Sequence, residues 1–192
     1  MAADHGRPIV PPKQIQTDYP LIDSDPHIRR VFGYARTSDY VLGAALAGVS
    51  PLLFSIMERV QPTAASAVSY SRAMRLASAI GLAGGVISVY QRSCNRFYGF
   101  TENSREEEMD MREMVDKVKK GEPLYGVSSL SPYMQGVAAR NSRYTSLFIH
   151  VIPWFNAVNH NQHGVDTAKY YRQAERELEA DRIKKGEMLG SF

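Results

Sequence analysis

The sequence predicts a mainly α-helical membrane protein: a two-helix transmembrane hairpin with an extended N-terminal arm and a helical C-terminal extramembrane region. Three observations predict it: two charge-free runs in tandem, a proline-rich stretch before them, and a charged stretch with helical periodicity after them. The predicted divisions are an arm with a short helix over 1–39, the hairpin over 40–92, and the extramembrane region over 93–192.

The hairpin follows from the lengths of the two apolar runs. Eighteen consecutive residues between Asp39 and Glu58 carry no charge, and sixteen more lie between Arg75 and Arg92. A helix needs ~17–25 residues to cross a bilayer. The second run meets that length when Arg75 and Arg92 extend their charged ends to the two membrane interfaces. A buried helical hairpin in a soluble all-α domain is the alternative, and the tandem, charge-bracketed arrangement favours the membrane.

Small residues recur every fourth position along both runs. Such spacing places them on one helix face, and small residues four apart let two helix backbones approach closely inside lipid. Glycine is otherwise unfavourable in a helix interior, by ~1 kcal/mol relative to alanine. We therefore predict six helix-packing residues: Gly43, Ala47, Gly48, Ala77, Gly81 and Gly85.

The arm cannot form a long helix, because prolines stand at positions 8, 11, 12, 20 and 26. Its interleaved apolar and aromatic residues predict an extended segment lying on a partner surface, with a mobile tail as the alternative. The first residues match neither a secretory signal nor a mitochondrial presequence. If the protein is mitochondrial, we expect its targeting signal to lie within the mature chain.

After the hairpin, four residues spaced i, i+3, i+4 and i+7 predict an amphipathic helix: Met111, Met114, Val115 and Val118. Ser104 and Glu107 predict a capping box at the start of this helix. Gly121 predicts a C-cap at its end. Ser131-Pro132 predicts the start of a further helix, and the charge pattern of residues 166–185 predicts a charged helix.

A third apolar run, Leu147–Val158, is too short to span a membrane. Aromatic residues are enriched at membrane–water interfaces. We expect this run to lie along the interface, with Trp154 as an anchor, or to fill a groove of a partner.

The chain contains no recognisable catalytic or cofactor-binding motif. Its single cysteine, Cys94, excludes an internal disulfide and cysteine-based metal spacing. His150, His160 and His163 lack the further ligands that a zinc site requires. We predict no catalytic residue, no cofactor and no metal.

The distribution of charge argues against nucleic acid as a partner. The net charge is +3, with ten Lys and Arg against six Asp and Glu in residues 1–100, and thirteen against fourteen in 101–192. Neither half forms the basic patch that binds phosphate backbones.

Three long runs resemble one protein family: PPKQIQTDYPLIDSDPHIRRVFGYARTSDY, CNRFYGFTENSREEEMDMREMVDKVKKGEPLYG and SLFIHVIPWFNAVNHNQHGVDTAKYY. They are similar to the 21 kDa accessory subunit of fungal mitochondrial complex I (NADH:ubiquinone oxidoreductase), over nearly the full chain. The resemblance implies a non-catalytic subunit of the inner mitochondrial membrane that supports assembly or stability of the membrane arm.

It further implies other complex I subunits and inner-membrane phospholipids as partners, with no small-molecule substrate. Two spans predict a multi-pass protein with both termini on the same side. A small membrane channel or translocase-type component is the alternative that the glycine-rich hairpin suggests. An enzyme that uses the three histidines is a third.

Overall fold

The chain folds into α-helices. The computed structural model describes residues 15–63, 66–152 and 154–190, with side chains up to 185. Within these ranges there are six α-helices and no strand, which confirms the predicted mainly α fold. The expectations for residues 1–14 and for Pro153 lie outside the described residues. In chain order the elements are α1 (Ile28–Tyr34), α2 (Thr37–Val60), α3 (Ala67–Tyr98), α4 (Ser104–Lys120), α5 (Pro132–Ser142), a 3₁₀ turn (Thr145–Phe148) and α6 (Ala168–Gly190).

The helices belong to two compact units. The hairpin unit consists of the described residues within 27–95 and 145–155. The terminal unit combines the described parts of 1–26, 96–144 and 156–192. Each unit therefore joins segments that are distant in the sequence.

In the hairpin unit, α2 and α3 are long and apolar enough to cross a membrane. Only 6% of the apolar window of α2 is buried, and 22% of that of α3. A helix that is apolar around its circumference is either buried in a protein core or lies in lipid. Because these two are not buried, the structure favours membrane spans over a soluble hairpin.

The short helix α1 packs on α3 within the same unit. His27 caps α1, with its Nδ1 accepting from the Arg29 N–H at 3.1 Å. The Ser93 hydroxyl donates to the Val31 carbonyl at 2.7 Å, and both residues are buried. These contacts fix the chain just before α2 begins.

In the terminal unit, the described part of the arm lies against the end of α3. The amides of Ile22 and Asp23 donate to the Phe97 carbonyl at 2.9 and 3.2 Å, and the Tyr19 amide donates to the Gly99 carbonyl at 3.2 Å. Gly99 has φ +81°, and a Cβ there would lie 2.3 Å from the Tyr19 carbonyl oxygen. Glycine is thus required where the arm meets the chain after α3.

Helices α4 and α6 form the apolar core of the terminal unit. Met114, Leu124 and Tyr170 are buried together, so the predicted apolar stripe of α4 does face a core. The Tyr170 hydroxyl donates to Asp110 Oδ2 at 2.5 Å. Lys119 and Glu177 add an exposed ion pair between the helices, with Nζ 2.6 Å from Oε2.

The helix ends agree with most of the predicted signals. Gly121 ends α4 in the left-handed conformation with φ +70°, and the Ser131 hydroxyl caps α5. The capping box predicted at Ser104 is wrong, because Asn103 is the N-cap and Ser104 lies within the helix. The Glu102 carboxylate accepts a hydrogen bond from the Ser104 amide at 2.9 Å.

Candidate functional site

A close backbone contact in the hairpin unit joins Gly43 of α2 to Gly85 of α3. A Cβ on Gly85 would lie 2.4 Å from the Gly43 carbonyl oxygen, and a Cβ on Gly43 3.0 Å from the Gly85 oxygen. Both residues are buried. The two backbones touch directly, which is the geometry that small residues four apart permit in membrane helices.

One turn further along α2, a second contact joins Ala47 to Gly81. A Cβ on Gly81 would lie 2.3 Å from the Ala47 carbonyl oxygen. Pro51 lies inside α2 and has no N–H, so the carbonyl four residues earlier, that of Ala47, loses its helical donor. Membrane helices tolerate proline when a neighbour contacts the freed carbonyl. Gly81 offers its Cα hydrogens at this point, and Cα–H contacts of this kind recur between helices.

The structure brings four of the six predicted packing residues together between α2 and α3. Of the other two, Ala77 is partly buried and lines an apolar groove between these helices. Gly48 is exposed, and a Cβ there would meet nothing within 4 Å. Within this chain, Gly48 therefore takes no part in the contact.

Arg92, predicted at a membrane interface, pairs with a buried carboxylate. Its Nε lies 2.9 Å from Asp39 Oδ1, and the Arg36 amide donates to Asp39 Oδ2 at 2.9 Å. The Asp39 side chain is fully buried, whereas 47% of the Arg92 side chain is exposed. Asp39 lies in the first turn of α2, where a negative charge suits the helix dipole. Arg75 is exposed and lies near the loop between α2 and α3.

The segment after the 3₁₀ turn presents an apolar surface. Phe155 packs edge-on against Tyr90 of α3, with ring centroids 4.7 Å apart. Four nearby side chains are exposed by half or more; we call them the interface patch, and they are Phe148, Val151, Ile152 and Trp154.

In the terminal unit, two acidic residues of the arm pair with two histidines of the loop before α6. His163 Nδ1 lies 2.7 Å from Asp23 Oδ1, and His160 Nε2 lies 2.7 Å from Asp25 Oδ2. All four side chains are at most 5% exposed. We call this cluster the arm anchor.

Hydrogen bonding assigns the protons of the two histidines. His160 Nδ1 accepts from the Gln162 amide at 3.2 Å, so its proton is on Nε2 and the ring is neutral. His163 Nε2 lies 2.8 Å from the His160 carbonyl, which can only accept. With Nδ1 facing the Asp23 carboxylate, both nitrogens of His163 donate, and the ring is an imidazolium.

The environment of His163 agrees with this assignment. Burial lowers its pKa, but the charge and hydrogen bond of Asp23, the His160 carbonyl and the charge of Asp25 together raise it above the ordinary value. The Tyr125 ring stacks on His163 at 3.6 Å between centroids.

Further bonds complete the arm anchor. The Ser24 hydroxyl donates to the His163 carbonyl at 2.8 Å, and the side-chain Nδ2 of Asn156 donates to the Asp25 carbonyl at 3.0 Å. Among the described residues, no three or more His, Cys, Asp or Glu form a group able to hold a metal ion. His160 and His163 hold the arm through these contacts, while His150 is exposed.

The helices and these contacts define a class: a helical protein with two candidate membrane spans, a glycine-mediated contact between them, and a second unit in which buried aspartate–histidine pairs hold the arm. Residues 16–102 match the family described as NADH-ubiquinone oxidoreductase complex I, 21 kDa subunit, and residues 111–188 match its C-terminal family. The NADH-ubiquinone oxidoreductase 20.9 kDa subunit of Neurospora crassa is 62% identical over 174 residues, covering 91% of this chain and 92% of the relative. The chain belongs to the family of 21 kDa complex I subunits, which confirms the resemblance seen in the sequence and identifies a mitochondrial protein of the respiratory chain.

Proposed function

We propose that this chain is a non-catalytic accessory subunit of respiratory complex I that supports the assembly or stability of the membrane arm. The observation that carries the proposal is the 62% identity to a subunit of NADH-ubiquinone oxidoreductase along nearly the whole chain. Its partners are other complex I subunits and phospholipids of the inner membrane. It acts on no small-molecule substrate and binds no nucleic acid.

The hairpin supports this role because its helices hold each other through backbone contacts. Gly43 and Gly85 fix the pair from inside, and large apolar side chains of both helices stay exposed, such as Leu52 at 59% and Leu76 at 63%. Such a hairpin offers a stiff apolar surface to lipid and to neighbouring helices. We place it in the mitochondrial inner membrane as two spans, with both termini on the same side.

A native gel tests this proposal. Membranes are solubilised in mild detergent, and this chain is detected beside in-gel NADH dehydrogenase activity. We expect co-migration with the large active band. Deleting the gene should then lower the amount of assembled complex and leave turnover per remaining complex unchanged. Migration as a small inactive species would contradict the proposal and favour the channel alternative, whose signature is ion conduction by homo-oligomers.

We propose that the interface patch lies in the lipid head-group region. The fluorescence of its tryptophan, Trp154, can test this. Trp154 is the only tryptophan of the chain, so fluorescence of the full-length protein in vesicles reads this position alone. We expect quenching by lipids brominated near the head group, and weaker quenching by lipids brominated at the chain end. Replacing Val151 and Ile152 by aspartate should abolish the quenching, because each apolar side chain withdrawn from lipid forfeits ~1.5–3 kcal/mol.

The matched control is Val127→Asp, which changes an equally exposed valine of the terminal unit, at 81% against 80% for Val151. It should leave Trp154 quenching unchanged. Equal loss with both variants, or no quenching in the native chain, would place the patch outside the membrane interface.

A further inference from the structure

Beside the glycine contact, an open apolar groove of about 610 Å³ lies between α2 and α3. Small, partly or fully buried residues such as Ser50, Ala77 and Gly81 line its depth. Larger exposed side chains, among them Leu53 and Ile80, flank it at 53% and 58% exposure. Its volume lies within the range of ~300–1,000 Å³ typical of ligand sites.

The length of the groove fits a ligand shorter than a membrane span. On α3 it extends from Ala73 to Gly84, which at 1.5 Å per residue is about 16 Å. That is close to half of the roughly 30 Å hydrocarbon core, or one leaflet. Beyond one end of this stretch, the helices touch at Gly43 and Gly85. Beyond the other end, the ring of Tyr70 stacks on that of Phe54 with 5.6 Å between centroids. These dimensions match one acyl chain better than a whole helix.

Positive charge stands at the loop end of the groove. Arg72 precedes the lining residue Leu76 by one helical turn, and both are exposed. Arg59 and Arg75 lie near the same loop. Glu58, the acidic residue of this region, accepts bonds from the Thr63 amide at 3.0 Å and hydroxyl at 2.6 Å. Exposed arginines at a membrane surface attract anionic lipid head groups.

We propose that this groove binds an anionic glycerophospholipid, with one acyl chain along Ala73–Gly84 and its head group at Arg72. This inference rests on the proposed function to the extent that α2 and α3 lie in a membrane. It adds a defined binding site to a subunit otherwise described by its packing.

The test uses phosphatidylglycerol carrying a diazirine on one acyl chain, with the matching phosphatidylcholine probe as comparison. Both are incorporated into vesicles holding the assembled complex, and separately the full-length chain. After illumination, mass spectrometry locates the labelled residues. We expect label on residues lining the groove, at least threefold more from phosphatidylglycerol than from phosphatidylcholine.

Two variants and their controls separate the acyl-chain site from the head-group site. Ala77→Phe fills the groove and should lower its labelling at least fivefold, whereas Ala79→Phe, at an exposed non-lining position two residues on, should not. Arg72→Gln should remove the preference for phosphatidylglycerol. Arg140→Gln, which changes an exposed arginine of α5, should retain it.

Each contrary result has a definite meaning. Unchanged groove labelling in Ala77→Phe overturns the site, and equal labelling by both probes overturns the anionic head group. Label elsewhere on α2 and α3 but none in the groove of the assembled complex shows that a partner helix covers it. Failure of the proposed function is distinct, because it shows as separation from the active band on the native gel.

Discussion

Gly85→Leu is expected to separate α2 from α3 and to lower the free energy of unfolding of the full-length chain by about 3 kcal/mol. The Gly43 carbonyl oxygen lies 2.4 Å from the position of the new Cβ, closer than any atom tolerates. Because the obstacle is backbone, no rotamer change relieves it. Overpacking of this kind costs about 1–3 kcal/mol, and a clash with backbone belongs at the upper end.

Thermal unfolding of the purified chain in detergent measures this effect, and the native gel measures incorporation into complex I. The control is Gly48→Leu, which adds the same side chain to α2 where a Cβ meets nothing within 4 Å. The unfolding temperature should fall in Gly85→Leu and stay unchanged in Gly48→Leu. If Gly48→Leu unfolds normally but fails to incorporate, Gly48 faces a neighbouring subunit. An unchanged unfolding temperature in Gly85→Leu would show that the contact is not maintained.

The two long apolar helices were predictable because both charge-free runs can be seen directly in the sequence. The glycine register was not, because small residues on two helices permit several pairings. Only the folded chain shows that Gly43 meets Gly85 while Gly48 stays exposed. Pro51 does indicate in the sequence that the Ala47 carbonyl lacks its helical donor. The sequence does not show that Gly81 is the residue that contacts this carbonyl.

The ion pairs were missed because their members are far apart in sequence. Asp39 and Arg92 are separated by 53 positions, and Asp23 and His163 by 140. The segments D-S-D and H-N-Q-H each read as polar loops when taken alone. The opposite charges of the two segments were a possible indication of contact. To pair them, one must already know that the arm lies on the loop before α6.

Asp23→Asn is expected to be the second large perturbation, lowering the free energy of unfolding by about 3–5 kcal/mol at pH 6. Removing one partner of a buried ion pair leaves the other charge uncompensated, here the imidazolium of His163. Amide and carboxylate have nearly the same shape, so the loss reports charge rather than packing. The control is Asp18→Asn, an exposed position of the same arm, which should change stability by no more than about 0.5 kcal/mol.

The pH dependence identifies the group responsible. The pKa of His163 is raised in the folded chain above its ordinary value of 6.5, so the folded state holds this proton more tightly than the unfolded chain does. The stabilisation is therefore complete below about pH 6.5 and is lost as the pH rises through the raised pKa. Unfolding measured from pH 5 to 9 should show native stability falling over that window. The gap between the native chain and Asp23→Asn should close over this window, because the native chain loses the attraction between the imidazolium and the Asp23 carboxylate when His163 becomes neutral. A constant gap between them across the range would mean that His163 is a neutral imidazole in the folded chain and that the arm is held by hydrogen bonds alone.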